Sequence, residues 1–326
     1  MLRPSPRPTR SPFLRNLTAI LVAFGAVSVL YFSTGGLPAD ASFAENEEQL
    51  VARLSAVNSE PQCSVDSAER NAPGEVAGES DAPLIIEGRE ALSRNLELLK
   101  QALEKLSRIP DYTATMFTHE RVGGQMTPAH VIQLKLRHEP FSLYMKWLAG
   151  DDKGREVIYV DGRDDNEMLV KLGGLKGRLL PAIKIDPNGS LARSKSRHAI
   201  TEAGLLNLVR QLLEHRQHDL NDDVQVGCRM TDGHKFDERP CCRFVLEFAD
   251  REESPTYRKS IQFFDEEFSV PVCIRNYGWP REGREIAPAD LDEATLLEHY
   301  TYSDIRFHQR LADRDFDRNN AKYAFR

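Results

Sequence analysis

The sequence predicts an α+β fold, in which a curved antiparallel sheet of about eleven strands forms a half-open β-barrel covered by two helices. Three observations lead to this prediction. Two leucine-rich stretches repeat with helical spacing, many short runs alternate apolar and polar residues, and short polar or glycine-bearing turns separate several of those runs. The predicted folded region spans residues 84–326.

The first helix is indicated by leucines that recur at steps of four and three. Leu92, Leu96, Leu99, Leu103 and Leu106 fall on one face of a helix and make it amphipathic. The helix is expected to end before Pro110, because the residue before a proline avoids helical geometry.

After Pro110 the apolar period changes from helical to two, which is the period of a half-buried strand. Ile132, Leu134 and Leu136 alternate with polar residues, and Leu143, Met145 and Trp147 follow the same pattern. Consecutive strands joined by short turns indicate an antiparallel meander. The other predicted strands are Tyr112–Arg121, Arg155–Asp161, Glu167–Leu172, Ala182–Ile185, Asp223–Met230, Cys242–Phe248, Thr256–Phe264, Ser269–Gly278 and Leu296–Phe307.

A second helix interrupts the strands. Thr201 is the predicted N-cap, since its hydroxyl can accept a free amide hydrogen of the first turn. The broad apolar face that follows consists of Leu205, Leu206, Leu208, Val209, Leu212 and Leu213.

A sheet of this size curls, and two amphipathic helices can cover the open side of a half-barrel. The enclosed apolar surface is then either ordinary filled core or a partly open site for an apolar ligand. The residues predicted to line it are Met116, Leu134, Leu143, Met145, Trp147, Phe244, Leu246, Phe248 and Phe263.

The N-terminus carries an export signal. Arg3, Arg7, Arg10 and Arg15 precede the uncharged run from Asn16 to Phe32. A basic flank before an apolar segment is typical of a signal peptide or an N-terminal membrane anchor, and both interpretations remain open for residues 1–44. Residues 45–83 are predicted to be a disordered acidic linker, which a short helix near Glu47–Val57 interrupts. The predicted location is the periplasm or the extracytoplasmic face of the inner membrane.

Composition excludes some partners. Without residues 1–33 the chain has 39 basic and 50 acidic residues, a net charge of −11. An acidic body disfavours nucleic acid, or an anionic membrane surface, as the main partner. The inner membrane remains a predicted contact through the N-terminal segment if that segment is not cleaved.

Export permits disulfides among the five cysteines. A turn-rich segment, Thr231 to Pro240, is expected between two strands. It would place Cys228 opposite either Cys241 or Cys242, while Cys273 could take the other. Cys63 would be left over. Free thiols, and less favourably a metal site, remain alternatives.

The sequence gives little support for catalysis. It contains neither a G-x-S-x-G elbow nor an H-E-x-x-H motif, and no C-x-x-C pair. We therefore predict a protein that is not an enzyme, without a cofactor, a catalytic residue or a bound metal.

Five further stretches are informative: Tyr112–Phe117 with Glu120-Arg121, Tyr144–Trp147, Tyr159–Gly162, Tyr300–Asp304 and Leu311–Asp317. Together they resemble a bacterial envelope family, domain of unknown function 1571. The order of helices and strands is similar to the LolA-like lipoprotein-carrier fold, in which a curved sheet covered by helices holds acyl chains. That likeness implies a carrier or sensor that binds a lipid or a lipoprotein acyl chain. The alternative is a structural or protein-interaction module of the envelope with a filled core.

Overall fold

Thirteen strands form one antiparallel sheet that is curved but not closed into a barrel in the part of the chain described by the computed structural model. The structure describes residues 49, 51–55, 83–220, 224–283 and 285–325. The strands are ordered β1-β9-β10-β11-β12-β13-β2-β4-β5-β6-β7-β8, and β3 pairs with β2 beside this path. The predicted fold class is confirmed.

The strands of the first half follow the predicted pattern, with two short additions, β1 and β3. They are β1 (Ile85–Glu87), β2 (Asp111–Val122), β3 (Gln125–Met126), β4 (His130–Arg137), β5 (Ser142–Ala149), β6 (Glu156–Val160), β7 (Met168–Lys171) and β8 (Ile183–Ile185). The second half forms another meander, consisting of β9 (Val226–Phe236), β10 (Arg239–Phe248), β11 (Lys259–Asp265), β12 (Val270–Tyr277) and β13 (Leu296–Phe307). The two meanders join where β13 pairs with β2.

Two long helices cover one face of the sheet, which we call the inner face. These are α1 (Gly88–Ser107) and α4 (Leu205–Leu220), and they pack against each other. Helix α1 also packs on β1, β9 and β12, and α4 packs on β12, so both lie mainly over the second meander. Three short helices also occur between residues 83 and 325: α2 (Gly174–Leu179), α3 (Ser190–Arg193) and α5 (Leu291–Thr295).

Helix α4 begins later than predicted. Thr201 lies in a separate 3₁₀ turn, Ile200–Glu202, and is not the N-cap. Gly204 separates this turn from the helix with φ +100°, a conformation that glycine adopts without steric cost. A Cβ there would lie 2.5 Å from Cδ1 of Leu136 and 2.9 Å from the hydroxyl of Tyr112. That hydroxyl accepts a hydrogen bond from the Leu205 amide at 2.8 Å, which fixes the start of α4 against β2.

The outer face is covered by chain from both ends of the described region. Phe316, Tyr323 and Phe325 pack on β5, β6 and β7, and the Tyr323 ring stacks on Tyr144 at 4.0 Å between centroids. Residues 51–55 are helical, and the fully buried Leu54 packs with Phe117. This part of the predicted linker therefore contacts the sheet.

The remaining N-terminal predictions, the signal or anchor and most of the linker, lie outside the described residues. In the part of the chain that is described, no helix is long and apolar enough to cross a bilayer.

Candidate functional site

The inner face carries most of the residues predicted to line an apolar surface. Cross-strand pairing places Leu134 opposite Met145 and Leu136 opposite Leu143, while Met116 lies opposite Ile132. On the other meander Phe244 pairs with Met230 and Leu246 with Cys228. Seven predicted residues are at most 6% exposed and belong to one apolar cluster: Met116, Leu134, Leu143, Met145, Phe244, Leu246 and Phe263. Trp147 packs on this cluster while partly exposed.

Two predicted lining residues are placed differently. Phe263 pairs with Arg243, whereas Phe244 pairs with Gln262, so Phe263 lies on the outer side of β11. The residue on the inner side is Phe264, whose ring meets Phe244 edge to face at 5.6 Å. Phe248, at the end of β10, is only half-buried. The apolar alternation could not fix the side of β11, because Phe263 and Phe264 are adjacent and equally apolar.

The segment between β8 and α4, residues 186–204, contains no long helix, and we call it the strap. It contacts the first meander at β2, through Ser196 and Arg197, and at β4, where Gly204 lies beside Leu136. It contains only α3 and one 3₁₀ turn, and small side chains make much of its apolar contact. Ala192, Ile200 and Ala203 pack on the main cluster while partly buried.

A polar ladder crosses the inner face beside the apolar wall. Ser260 pairs with Asn276, Asn276 with Glu298, and Glu298 with Glu120, across β11, β12, β13 and β2. Ser260, Glu298 and Glu120 are 2–5% exposed. No sequence motif signalled this ladder, since its members are far apart in the chain and meet only through strand pairing.

Glu298 is the centre of the ladder and fastens the strap. Its Oε2 accepts hydrogen bonds from Nε of Arg197 at 2.8 Å and from Nε2 of His198 at 3.1 Å. Its Oε1 accepts from Nδ2 of Asn276 at 2.7 Å and from the hydroxyl of Tyr257 at 3.2 Å. Both carboxylate oxygens are therefore satisfied, as a buried charge requires.

Glu120 makes a second set of contacts with the same strap. It accepts hydrogen bonds from the Tyr300 hydroxyl and, at 3.2 Å, from Oγ of Ser196. Nη1 of Arg197 also donates to the carbonyl of Arg121 at 3.2 Å. Three successive strap residues, Ser196 to His198, are thus held by polar contacts to β2 and β13. We call this group of contacts the latch.

The latch shifts the pKa values of its ionisable groups. Burial alone would raise the pKa of Glu298, but its bonds to His198 and Asn276 and the charge of Arg197 outweigh burial and lower it to about 2. The bond to Glu298 raises the pKa of His198 above its ordinary value, although burial opposes this. Glu298 is therefore ionised near neutral pH, and its carboxylate favours the protonated form of His198.

The raised pKa of His198 gives a pH prediction. A raised folded-state pKa contributes stability that is complete below the unfolded value of about 6.5 and is lost as the pH rises through the folded value. The stability difference between wild type and His198→Gln should therefore be larger at mildly acidic pH than at alkaline pH, by about 0.5–1 kcal/mol for a partly exposed pair. Urea unfolding of both proteins at each pH measures this difference, and an equal difference at both pH values would contradict it.

The pKa of His299, on the outer side of β13, is shifted in the opposite direction to that of His198. Burial, then the charges of Arg275 and His119, lower its pKa well below the ordinary value. Its contribution to stability is lost as the pH falls below about 6.5, the opposite sign to His198. Subtracting the His198→Gln curve from the wild-type curve removes the His299 contribution, because both proteins retain that residue.

The four described cysteines are free, buried thiols, and the predicted disulfide pairs are not brought together. Strand β9 continues to Phe236 where a turn was expected, so the register pairs Cys228 with Leu246 and Cys241 with His234. Cys273 lies on β12, separated from β10 by β11. Burial raises the pKa of Cys228 to about 12, so its thiol is unreactive at neutral pH.

A separate cleft of about 470 Å³ lies between the last turns of α1 and the end of β13. Glu104, Lys105 and Arg108 line it together with Phe307, so it differs from the predicted apolar wall. Within the described ranges, no group of three or more His, Cys, Asp or Glu side chains is placed to hold a metal ion.

Comparison with known proteins gives one family match. A family model described as "Protein of unknown function (DUF1571)" matches residues 109–325. No curated protein matches the chain significantly.

Several solved structures align with most of the described region. Lipoprotein LppX from Mycobacterium tuberculosis is 13% identical, with a TM-score of 0.38, over 69% of this chain and 99% of that chain. A putative outer membrane lipoprotein-sorting protein domain from Vibrio parahaemolyticus is 13% identical, with a TM-score of 0.32, over 70% and 98%. A LolA superfamily protein from Nitrosomonas europaea is 12% identical, with a TM-score of 0.30, over 67% and 97%.

Proposed function

The chain belongs to the DUF1571 family of proteins of unknown function, and on this premise we propose that it is a non-enzymatic protein of the cell envelope that binds a lipid or acyl chain. The acyl chain would lie between the strap and the inner face of β4 to β7. The observation that carries this proposal is the difference between the two halves of the cover. Two long helices pack mainly on the second meander, whereas the strap, held by the latch, contacts β2 of the first.

The strap is the part of the cover that can open at the lowest cost. Segments with few buried apolar contacts open locally at free energies well below that of global unfolding. Opening the strap would expose a wall that includes Leu134, Leu143 and Met145, all at most 5% exposed in the closed state. An acyl chain would then replace the lost contacts at roughly 0.8 kcal/mol per CH₂, or about 10 kcal/mol for sixteen carbons before ordering costs.

We propose a binding experiment that uses Trp147 as an internal probe. Trp147 lies on β5 two residues from Met145, on the same side of the strand. Titration of the full chain with dansyl-labelled undecanoic acid should give saturable energy transfer from tryptophan to dansyl. Trp147→Phe should remove most of the transfer, because the other tryptophan, Trp279, lies outside the proposed site.

The two halves of the wall offer a matched pair of variants. Met145→Gln places an amide on the inner face of the first meander, and Met230→Gln places one on that of the second, at positions that are 5% and 7% exposed. Both changes should destabilise the fold similarly, but only Met145→Gln should weaken dansyl-acid binding, by about tenfold or more. If both variants weakened dansyl-acid binding equally, the ligand would not be confined to the inner face of the first meander.

The second candidate function is a structural or protein-interaction module with a filled core. The near-complete burial of the predicted lining residues in this closed state favours it. Absence of energy transfer, together with absence of bound lipid in native mass spectrometry of protein purified without detergent, would select this module over the carrier.

A further inference from the structure

Helix α2 and the residue that follows it expose three leucines beside the edge strand β8. Leu175, Leu179 and Leu180 are 71%, 84% and 46% exposed. Leu175 and Leu179 are one helical turn apart, so they project from the same face of α2. Exposed apolar side chains grouped in this way mark a contact surface more often than isolated ones do.

The backbone that carries these leucines is held tightly. A Cβ at Gly173 would lie 2.3 Å from the Lys153 carbonyl oxygen, and one at Gly177 would lie 1.8 Å from that of Leu172. At the other end, Nζ of Lys171 donates to the Leu180 carbonyl at 2.8 Å. Close backbone packing at Gly173 and Gly177, and the Lys171 hydrogen bond after α2, therefore hold the backbone that carries the leucines.

The charge around α2 is opposite to that of the rest of the chain. Residues 171–197 contain seven Lys and Arg residues and one Asp, and five of the seven remain when the buried Lys171 and the latch residue Arg197 are set aside. Residues 34–326 as a whole, in contrast, carry a net charge of −11. Arg178 on α2 and Arg193 on α3 are exposed, and Leu191 on α3 is 37% exposed. Basic and apolar groups on one short segment are typical of peptides that lie in the interface of an anionic bilayer.

We propose that α2 and α3 form a docking surface for a lipid bilayer with anionic headgroups. The α2 leucines enter the interfacial region, while Arg178 and Arg193 approach the lipid phosphates. The acidic remainder of the chain is repelled by the same headgroups, which orients the molecule with its β8 edge toward the bilayer. The overall acidic charge disfavours such a partner, so the proposal depends on the local charge of this segment.

The docking surface is continuous in sequence with the strap, which begins directly after β8. Docking would bring the strap close to a membrane that can supply an acyl chain. In this respect the inference rests on the proposed function. The docking surface nevertheless stands on its own observations, and its test below involves no ligand in the inner wall.

The test measures insertion at one position, so that attachment of the chain elsewhere does not affect the result. The full chain with Leu179→Trp is reconstituted with vesicles of phosphatidylethanolamine and phosphatidylglycerol that carry brominated acyl chains. We expect the added fluorescence, relative to wild type, to be quenched at least about twofold. Quenching should be much weaker in phosphatidylcholine vesicles or at about 0.5 M salt.

The matched control is Leu84→Trp. Leu84 is 54% exposed and precedes β1, at the opposite edge of the sheet from β8. Both variants share the same N-terminal segment, so a difference between them reports on α2 alone. Leu84→Trp should remain unquenched, and equal quenching of the two variants would overturn the proposal.

Two further measurements test the charge argument and the alternative that a second copy of the chain covers this surface. Adding Arg178→Glu and Arg193→Glu to Leu179→Trp should abolish quenching, and unchanged quenching would contradict the charge argument. A lipid-independent blue shift that grows with protein concentration would instead assign the surface to a second copy of the chain. Should Leu179→Trp alter the circular dichroism spectrum, Leu175→Trp provides a second probe on the same face of α2.

Discussion

Glu298→Ala should lower the free energy of unfolding by about 3–5 kcal/mol, because it leaves Arg197 and His198 without their shared buried acceptor. For a domain of this size the melting temperature should fall by roughly 6–20 °C. Thermal and urea unfolding measure the change. Limited trypsin digestion adds a local readout, since Arg193, Lys195 and Arg197 all lie in the strap and should be cleaved first.

The control for this prediction is Glu247→Ala. The Glu247 side chain is 61% exposed, and its nearest basic group, Nζ of Lys259, lies 3.7 Å away. An exposed pair of this kind contributes less than about 1 kcal/mol. If Glu298→Ala matched this control in both stability and strap cleavage, the latch would not hold the strap.

Phe244→Ala should be the most damaging substitution in the wall, at about 3–5 kcal/mol. Phe244 is fully buried on the inner face and packs edge to face on Phe264. The matched control is Phe248→Ala on the same side of β10, where the half-buried ring should cost clearly less. Urea unfolding of both variants gives the comparison, and equal losses would show that this wall is not the centre of the core.

A fatty acid separates the two candidate functions in the same experiment. An acyl site should stabilise wild type and Phe244→Ala by about 2–3 kcal/mol when palmitate is present at roughly a hundred times its dissociation constant. A filled core that excludes ligand should show no shift in either protein. This measurement tests the proposed function independently of the membrane-docking surface.

Local patterns allowed much of the fold to be predicted. Strand β13 has the predicted limits, Leu296–Phe307, and the leucine spacing identified α1. Both are long segments: the leucines of α1 line one helical face, and β13 is buried on both faces through much of its length. The prediction was wrong for Thr231 to Pro240, since β9 and β10 continue through polar residues that have no apolar alternation.

The candidate site was predicted only in part. Leu134, Met145 and Phe244 lie on the inner face because alternation on their own strands determines their side. Phe263 does not, since two adjacent phenylalanines leave the side of β11 to be decided by pairing with β10. The cysteine pairs were misplaced for the same reason, because a shift in the length of one hairpin changes every cross-strand neighbour.

The sequence by itself determined the alternating strands, the two amphipathic helices and the family, because each depends on residues close together in the chain. Only the tertiary structure decided that β2 and β13 bring Glu120 and Glu298 together, and that Arg197 and His198 reach Glu298 from about a hundred positions away. It also decided which leucines remain exposed on α2, since burial depends on what the rest of the chain covers. Pairing and coverage are properties of the folded chain as a whole, and no local period encodes them.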